Sequence, residues 1–239
     1  VAALHEMVMT MFRPAGAPLQ LRCPATTAFQ QLWQVTTETM SSAWCDRFAA
    51  DYARFLCATI REIQTRHQVL DRDSYLALRR ETGGVLHLTD QIEWVGRFEL
   101  PPQVATQPTI TELRSVVADV VAWINDVQSV ERELARGDRT HNLVLVVEAD
   151  RGCGREQAIA EVVAMTTLAL RRVDELVDAV SALCGQLGLA GEYRRRVERY
   201  VVGCQDVIAG YYDWSGRSSR YGPPAGAAPV VDDLLTSGA

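Results

Sequence analysis

Residues 108–137 read PTITELRSVVADVVAWINDVQSVERELARG, and the stretch changes character half-way along. Val116, Val117, Val120, Val121 and Ile124 recur at helical spacing with Trp123 beside them, which predicts a helix whose first half faces a core. Asn125, Ser129 and Glu133 then follow at steps of four. Each step turns about 400° and rises about 6 Å, so the three side chains drift only about 80° around the axis and form one stripe of oxygen donors. An amide oxygen, a hydroxyl and a carboxylate are hard ligands, a set that suits Mg²⁺ or Mn²⁺ better than zinc or copper. Taken alone, N-x-x-x-S-x-x-x-E reads first as the solvated end of an amphipathic helix.

Around that helix, composition narrows the classes. The 239 residues, 48% of them hydrophobic, suffice for one domain with a sizeable core. A net charge of −6 and a pI near 5.3 argue against nucleic acid as a partner, since a phosphate-tracking surface needs a basic patch. Every basic side chain is arginine, and the lack of lysine excludes Schiff-base and P-loop chemistry. No apolar run reaches the roughly 18 residues of a membrane span and no signal peptide opens the chain, so no membrane is expected and the location is expected to be cytoplasmic. The cysteines show no C-x-x-C and fall inside helical patterns, which predicts buried thiols. His5-Glu6 begins a zinc-protease pattern, but Met9 stands where its second histidine belongs, and His67, His87 and His141 share no ligand spacing.

Further helical patterns run over 2–12, 25–40, 42–68, 74–96, 155–187 and 191–213, with a short apolar element at 141–149. Asp71 or Asp73 can cap the helix that opens at Ser74, and the pair Gly83-Gly84 should kink it. Phe48, Tyr52, Leu56 and Ile60 share a face with Phe55 on its flank; aromatics so spaced are core, or the lining of a pocket that stabilises positive charge. Over 155–187, Ala160, Val163, Ala164, Thr167, Leu168, Val173, Leu176 and Val180 are expected on or near one face. Residues 97–108 read as a loop, and Gly152-x-Gly154 as a helix start rather than a phosphate loop. Position 1 is Val and the chain opens in mid-helix, which reads as a fragment.

NDVQSVERE at 125–133 resembles the second metal motif of bacterial class I terpene synthases, including the basic Arg132 before the final Glu133. HNLV at 141–144 is similar to the same family, Arg79 lies 46 residues before Asn125 as the family's diphosphate-sensing arginine does, and Arg220-Tyr221 matches its terminal Arg-Tyr pair. The resemblance implies an all-α isoprenoid-synthase bundle over residues 1–222, incomplete at its N-terminus, with a loose tail over 223–239. It implies Asn125, Ser129 and Glu133 as ligands of one Mg²⁺ among the three of an intact active site. Arg79, Arg132, Arg220 and Tyr221 would bind diphosphate, with Arg80 the rival sensor, Thr82 at the linker position and Gly83 at the effector position. The implied reaction is Mg²⁺-dependent ionisation and cyclisation of a prenyl diphosphate, farnesyl diphosphate ahead of geranyl or geranylgeranyl diphosphate, and a homodimer is compatible with it. The family's aspartate-rich D-D-x-x-D is not found before Arg79, and Asp232-Asp233 lacks the rest of it, so the resemblance also implies a piece inactive on its own. Two rival readings are a non-catalytic helical scaffold or degenerate diphosphate binder, and a prenyl diphosphate synthase, which would carry a second D-D-x-x-D where Asn125 and Ser129 stand.

Overall fold

The computed structural model describes residues 1–220 except 15, 69, 138, 139 and 219. Among the described residues ten helices follow in order: α1 Ala2–Phe12, α2 Pro24–Thr37, α3 Ser42–Thr65, α4 Arg72–Thr82, α5 Val85–Gly96, α6 Pro102–Ala105, α7 Pro108–Ala135, α8 Leu143–Arg151, α9 Arg155–Gln186 and α10 Gly191–Arg217. Among the described residues there is no strand, as the helical periodicity requires. No described helix is long and apolar enough to cross a membrane.

Local chemistry places the boundaries. Ser41, Asp71 and Asn142 each accept a hydrogen bond from the backbone N–H two or three residues on, at 3.2, 2.9 and 2.9 Å, and so start α3, α4 and α8. Pro108 opens α7, where the missing N–H costs nothing. The loop expected at 97–108 holds one further turn, α6.

α7 is the axis of the bundle and packs against α4, α5, α8, α9 and α10. Its Leu113, Val117 and Val120 are wholly buried, joining Val173, Leu176 and Val180 of α9 and Val197, Tyr200 and Cys204 of α10 in the larger core. Complete burial of each such aliphatic side chain contributes about 1.5–3 kcal/mol. A second cluster gathers Tyr75, Val130, Leu143, Val144 and Val147 with Ala158 and Val162. The first half of α9 therefore faces inward with Ala158, Val162 and Thr166, not with the expected set. Ala160, Ala164 and Leu168 are exposed, and only from Val173 onward does the expected face coincide with the buried one. In so alanine-rich a segment the apolar stripe is broad, and the position of α8 selects the phase.

Charged groups also hold the bundle. Arg114 of α7 donates to Asp90 and to the Leu86 carbonyl at 3.0 Å each, to Thr89 at 2.8 Å, and to Asp51 of α3. Burial pushes the Asp90 carboxyl up to about 7 against the pull of Arg114 and Arg47. Of the cysteines, Cys184 and Cys204 are buried, whereas Cys57 is exposed and the other three are intermediate, so the expectation of buried thiols holds for two.

Candidate active site

The break between α4 and α5 is a sharp one. Gly84 takes the left-handed conformation at φ 72°, which disfavours any residue with a Cβ. A Cβ at Gly83 would stand 3.1 Å from the Arg79 carbonyl and 3.6 Å from the Ala122 side chain, so the chain reverses hard against α7. The Gly83 N–H donates to that same carbonyl at 2.8 Å, which ties the break to the turn bearing Arg79. The Thr82 hydroxyl is buried there without a hydrogen-bond partner.

Arg79 crosses from α4 to α7. Its Nη2 donates to Asn125 Oδ1 at 2.7 Å and its Nε to Asp126 Oδ1 at 2.9 Å. Burial alone would lower the Arg79 guanidinium; the facing Asp126 carboxylate, with Tyr75 and Glu62, outweighs it and holds the group above its ordinary value. Asp126, 1% exposed, is the hub: its Oδ2 also accepts from the Tyr75 hydroxyl at 2.7 Å and from the Leu143 N–H at 3.0 Å. One carboxylate thus fixes α4, α7 and α8 together. Arg80 points elsewhere, paired with Asp119 at 2.7 Å.

The oxygen stripe of α7 faces inward. Asn125 donates to the Tyr211 hydroxyl of α10 at 2.8 Å, and Glu133 accepts from Asn142 Nδ2 at 2.8 Å. Ser129 is completely buried between them, with Asn142 Nδ2 3.5 Å from its oxygen. Burial lifts the Glu133 carboxyl above its ordinary value, against hydrogen bonds from Asn142 and Ser129 that pull it down. Among the described residues no arginine forms an ion pair with Glu133. A half-buried carboxylate with that balance gains from a cation beside it.

Asn125 and Glu133 line a cleft of about 340 Å³ with Glu62 and Ile63 of α3, Arg66 just after its end, Arg79, His141 and Arg220. Arg132 donates to the Arg220 carbonyl at 3.2 Å and ties that segment to α7. Two of the expected metal residues and two of the expected diphosphate residues therefore share one space, with Ser129 just behind its wall. Tyr221 and the tail over 223–239 lie outside the described residues. The donor set fits a hard divalent cation: all three atoms are oxygens, one is anionic, and no thiol or imidazole stands in the stripe.

The family model for terpene synthase family 2, C-terminal metal binding, matches residues 2–172. The chain is 35% identical over 245 residues to a 7-epi-alpha-eudesmol synthase of Streptomyces viridochromogenes, covering 97% of this chain and 71% of that protein. The chain belongs to the terpene synthase family. A (-)-beta-caryophyllene synthase of Saccharothrix espanaensis is 32% identical over 242 residues, 98% of this chain and 68% of the relative. Among solved structures, an α-eudesmol synthase superposes with a TM-score of 0.85 at 35% identity, over 91% of this chain and 70% of that one. The germacradien-4-ol synthase of Streptomyces citricolor gives 0.81 at 29% identity, over 91% and 68%.

In this terpene synthase chain the sequence alone left several cleft residues without a role. Asp126 stood inside the quoted motif, and the signal for it was present: an acid four residues after Ala122 and four before Val130, both buried. Asn142 follows from the HNLV element, whose amide both caps α8 and reaches Glu133. Glu62, Arg66 and Tyr211 carry no local signature, since only the packing of α3 and α10 brings them to the site.

Proposed function

We propose that the cleft binds the diphosphate of an allylic prenyl diphosphate together with Mg²⁺, and serves ionisation of the allylic C–O bond and cyclisation to a terpene with release of pyrophosphate. The observation that carries this reading is the meeting of Arg79 and Asn125 at 2.7 Å in a cleft that Glu133 and Arg220 also line. Farnesyl diphosphate is the proposed substrate, because the relatives of S. viridochromogenes and Sa. espanaensis are both named as cyclizing it.

Asn125, Ser129 and Glu133 are the residues that would hold Mg²⁺. When bound, the ion supplies electrostatic stabilisation of charge developing on the departing diphosphate. Arg79, kept charged by Asp126, presents fixed donors at the same place, and Arg220 can clamp phosphate oxygens bidentately. Arg132 holds the Arg220 segment, and Tyr221 is proposed as one more donor. Gly83, backed against Ala122 and hydrogen-bonded to the Arg79 carbonyl, would pass the arrival of diphosphate at Arg79 to the α4–α5 break, with Thr82 between them. The 239 residues contain no D-D-x-x-D, so α7 accounts for the ligands of one ion of the three that the family resemblance implies.

The test is thermal stabilisation by inorganic pyrophosphate, with and without Mg²⁺. A ligand at a hundred times its Kd stabilises by about 2.7 kcal/mol, a readable shift. The reading expects a shift that needs both components and that Asn125→Leu abolishes. No shift in the parent chain, or one that survives Asn125→Leu, contradicts it.

A further inference from the structure

About 15 Å from the Glu62 end of the cleft, counted along α3 to Tyr52, the same helix face turns aromatic. Here a pocket of about 250 Å³ is walled by Phe29, Trp33, Phe48, Tyr52 and Trp94, and His87 of α5 completes it. The rings are ordered: Phe29 stacks on Tyr52 at 5.3 Å and Trp33 on Phe48 at 5.8 Å. His87 sits edge-on to Tyr52 at 4.6 Å and tilted against Phe55 at 4.9 Å, one turn after the Gly84 break.

His87 is an unusual wall for such a pocket. It is 8% exposed, its Nδ1 is buried with no hydrogen-bond partner, and the groups packed on it are aromatic. A buried ring nitrogen without a partner costs free energy in either tautomer, and whichever nitrogen lacks the proton keeps its lone pair for a ligand. Burial lowers its pKa to about 4, despite the charge of Asp51, so the ring is neutral at pH 7 and its lone pair is not already protonated. Faces of aromatic rings attract a cation, and a neutral imidazole among them carries a nitrogen lone pair more basic than the oxygens of Tyr52, Thr36 and Gln91, which also line the pocket.

We propose that His87 is the proton acceptor that ends the carbocation sequence in this pocket. The step rests on the prenyl diphosphate reading above. The C–H bond beside the cationic carbon breaks, its electron pair becomes the new C=C bond, and the proton goes to the imidazole lone pair. The imidazolium returns the proton to water when product leaves.

The pocket is tested without turnover, using two small carbocation mimics on the full chain by NMR titration. N,N-dimethylcyclohexylammonium carries one N–H that His87 can accept; N,N,N-trimethylcyclohexylammonium has the same ring and charge and none. The proposal expects the tertiary ion to bind roughly tenfold more tightly, the worth of one charged hydrogen bond. His87→Phe should erase that preference and leave the quaternary ion within about twofold of its parent affinity, while His87→Gln, which keeps an acceptor, should retain part of it. Equal affinities in the parent chain, or a preference that survives His87→Phe, overturn the proposal. Inorganic pyrophosphate with Mg²⁺, titrated alongside, reports on the α7 cleft alone, so failure there counts against the diphosphate reading and not against His87 as acceptor.

Discussion

Asp126→Asn removes one charge and almost no volume, and the structure makes it costly. Oδ2 receives two donors, the Tyr75 hydroxyl at 2.7 Å and the Leu143 N–H at 3.0 Å, so the carbonyl oxygen of an asparagine would settle there. Its NH₂ would then face the Arg79 guanidinium, donor against donor, where a carboxylate oxygen now accepts at 2.7–2.9 Å. Arg79 keeps its bond to Asn125 but loses its counter-charge at a site where its side chain is only 15% exposed. Breaking a buried pair by removing one partner costs about 3–5 kcal/mol. For a chain of this size that corresponds to a fall in Tm of roughly 6–20 °C. Urea unfolding of the parent, Asp126→Asn, Arg79→Met and the double variant completes a cycle, in which the two changes should couple by about 2 kcal/mol or more, since the second removes the charge the first strands. A Tm within about 2 °C of the parent, or additive effects, would refute the picture of Asp126 as the hub of three helices.

Arg79→Met should abolish stabilisation by pyrophosphate with Mg²⁺, whereas Arg80→Met should keep it, while losing stability in urea unfolding because it strands the Asp119 carboxylate, whose side chain is only 10% exposed. Gly84→Ala should destabilise by about 1–2 kcal/mol for its left-handed backbone, with added crowding from His87 and Phe55 at 3.3–3.4 Å; Gly137→Ala, at φ 82° in open space, should show the backbone cost alone. His87 sets a pH dependence. Its folded pKa of about 4 lies below the unfolded value of 6.5, so between those values the unfolded chain binds the proton and the folded chain does not, and stability rises with pH through that window. The parent should lose about 2 kcal/mol more than His87→Phe on going from pH 7 to pH 5, and parallel losses in the two proteins would contradict the burial argument.

Much of this was legible in the sequence. The long helix, its apolar half and the glycine break all follow from short-range spacing and stand where the spacing puts them; of the two caps the spacing allowed, Asp71 is the one used, and its helix opens at Arg72, two residues before Ser74. The choice of Arg79 over Arg80 rested on register with Asn125, and the two are hydrogen-bonded. What escaped depends on packing between distant segments. The phase of α9 is fixed by α8, which lies beside it in space, and Leu168 is exposed although its apolar character put it on the expected face. Asp126 received no role from the sequence, because a sequence shows a charge but not the arginine, tyrosine and backbone N–H that arrive from α4 and α8 to meet it.

The central claim is that α7 holds a divalent cation beside a diphosphate cleft. Its most direct test is a crystal structure with Mn²⁺ and pyrophosphate, read by the anomalous signal of the ion. The account predicts a peak about 2.0–2.2 Å from oxygens of Asn125, Ser129 and Glu133, with pyrophosphate between it and Arg79. A peak bound elsewhere, or an ion that leaves the Ser129 and Glu133 oxygens uncoordinated, would contradict it.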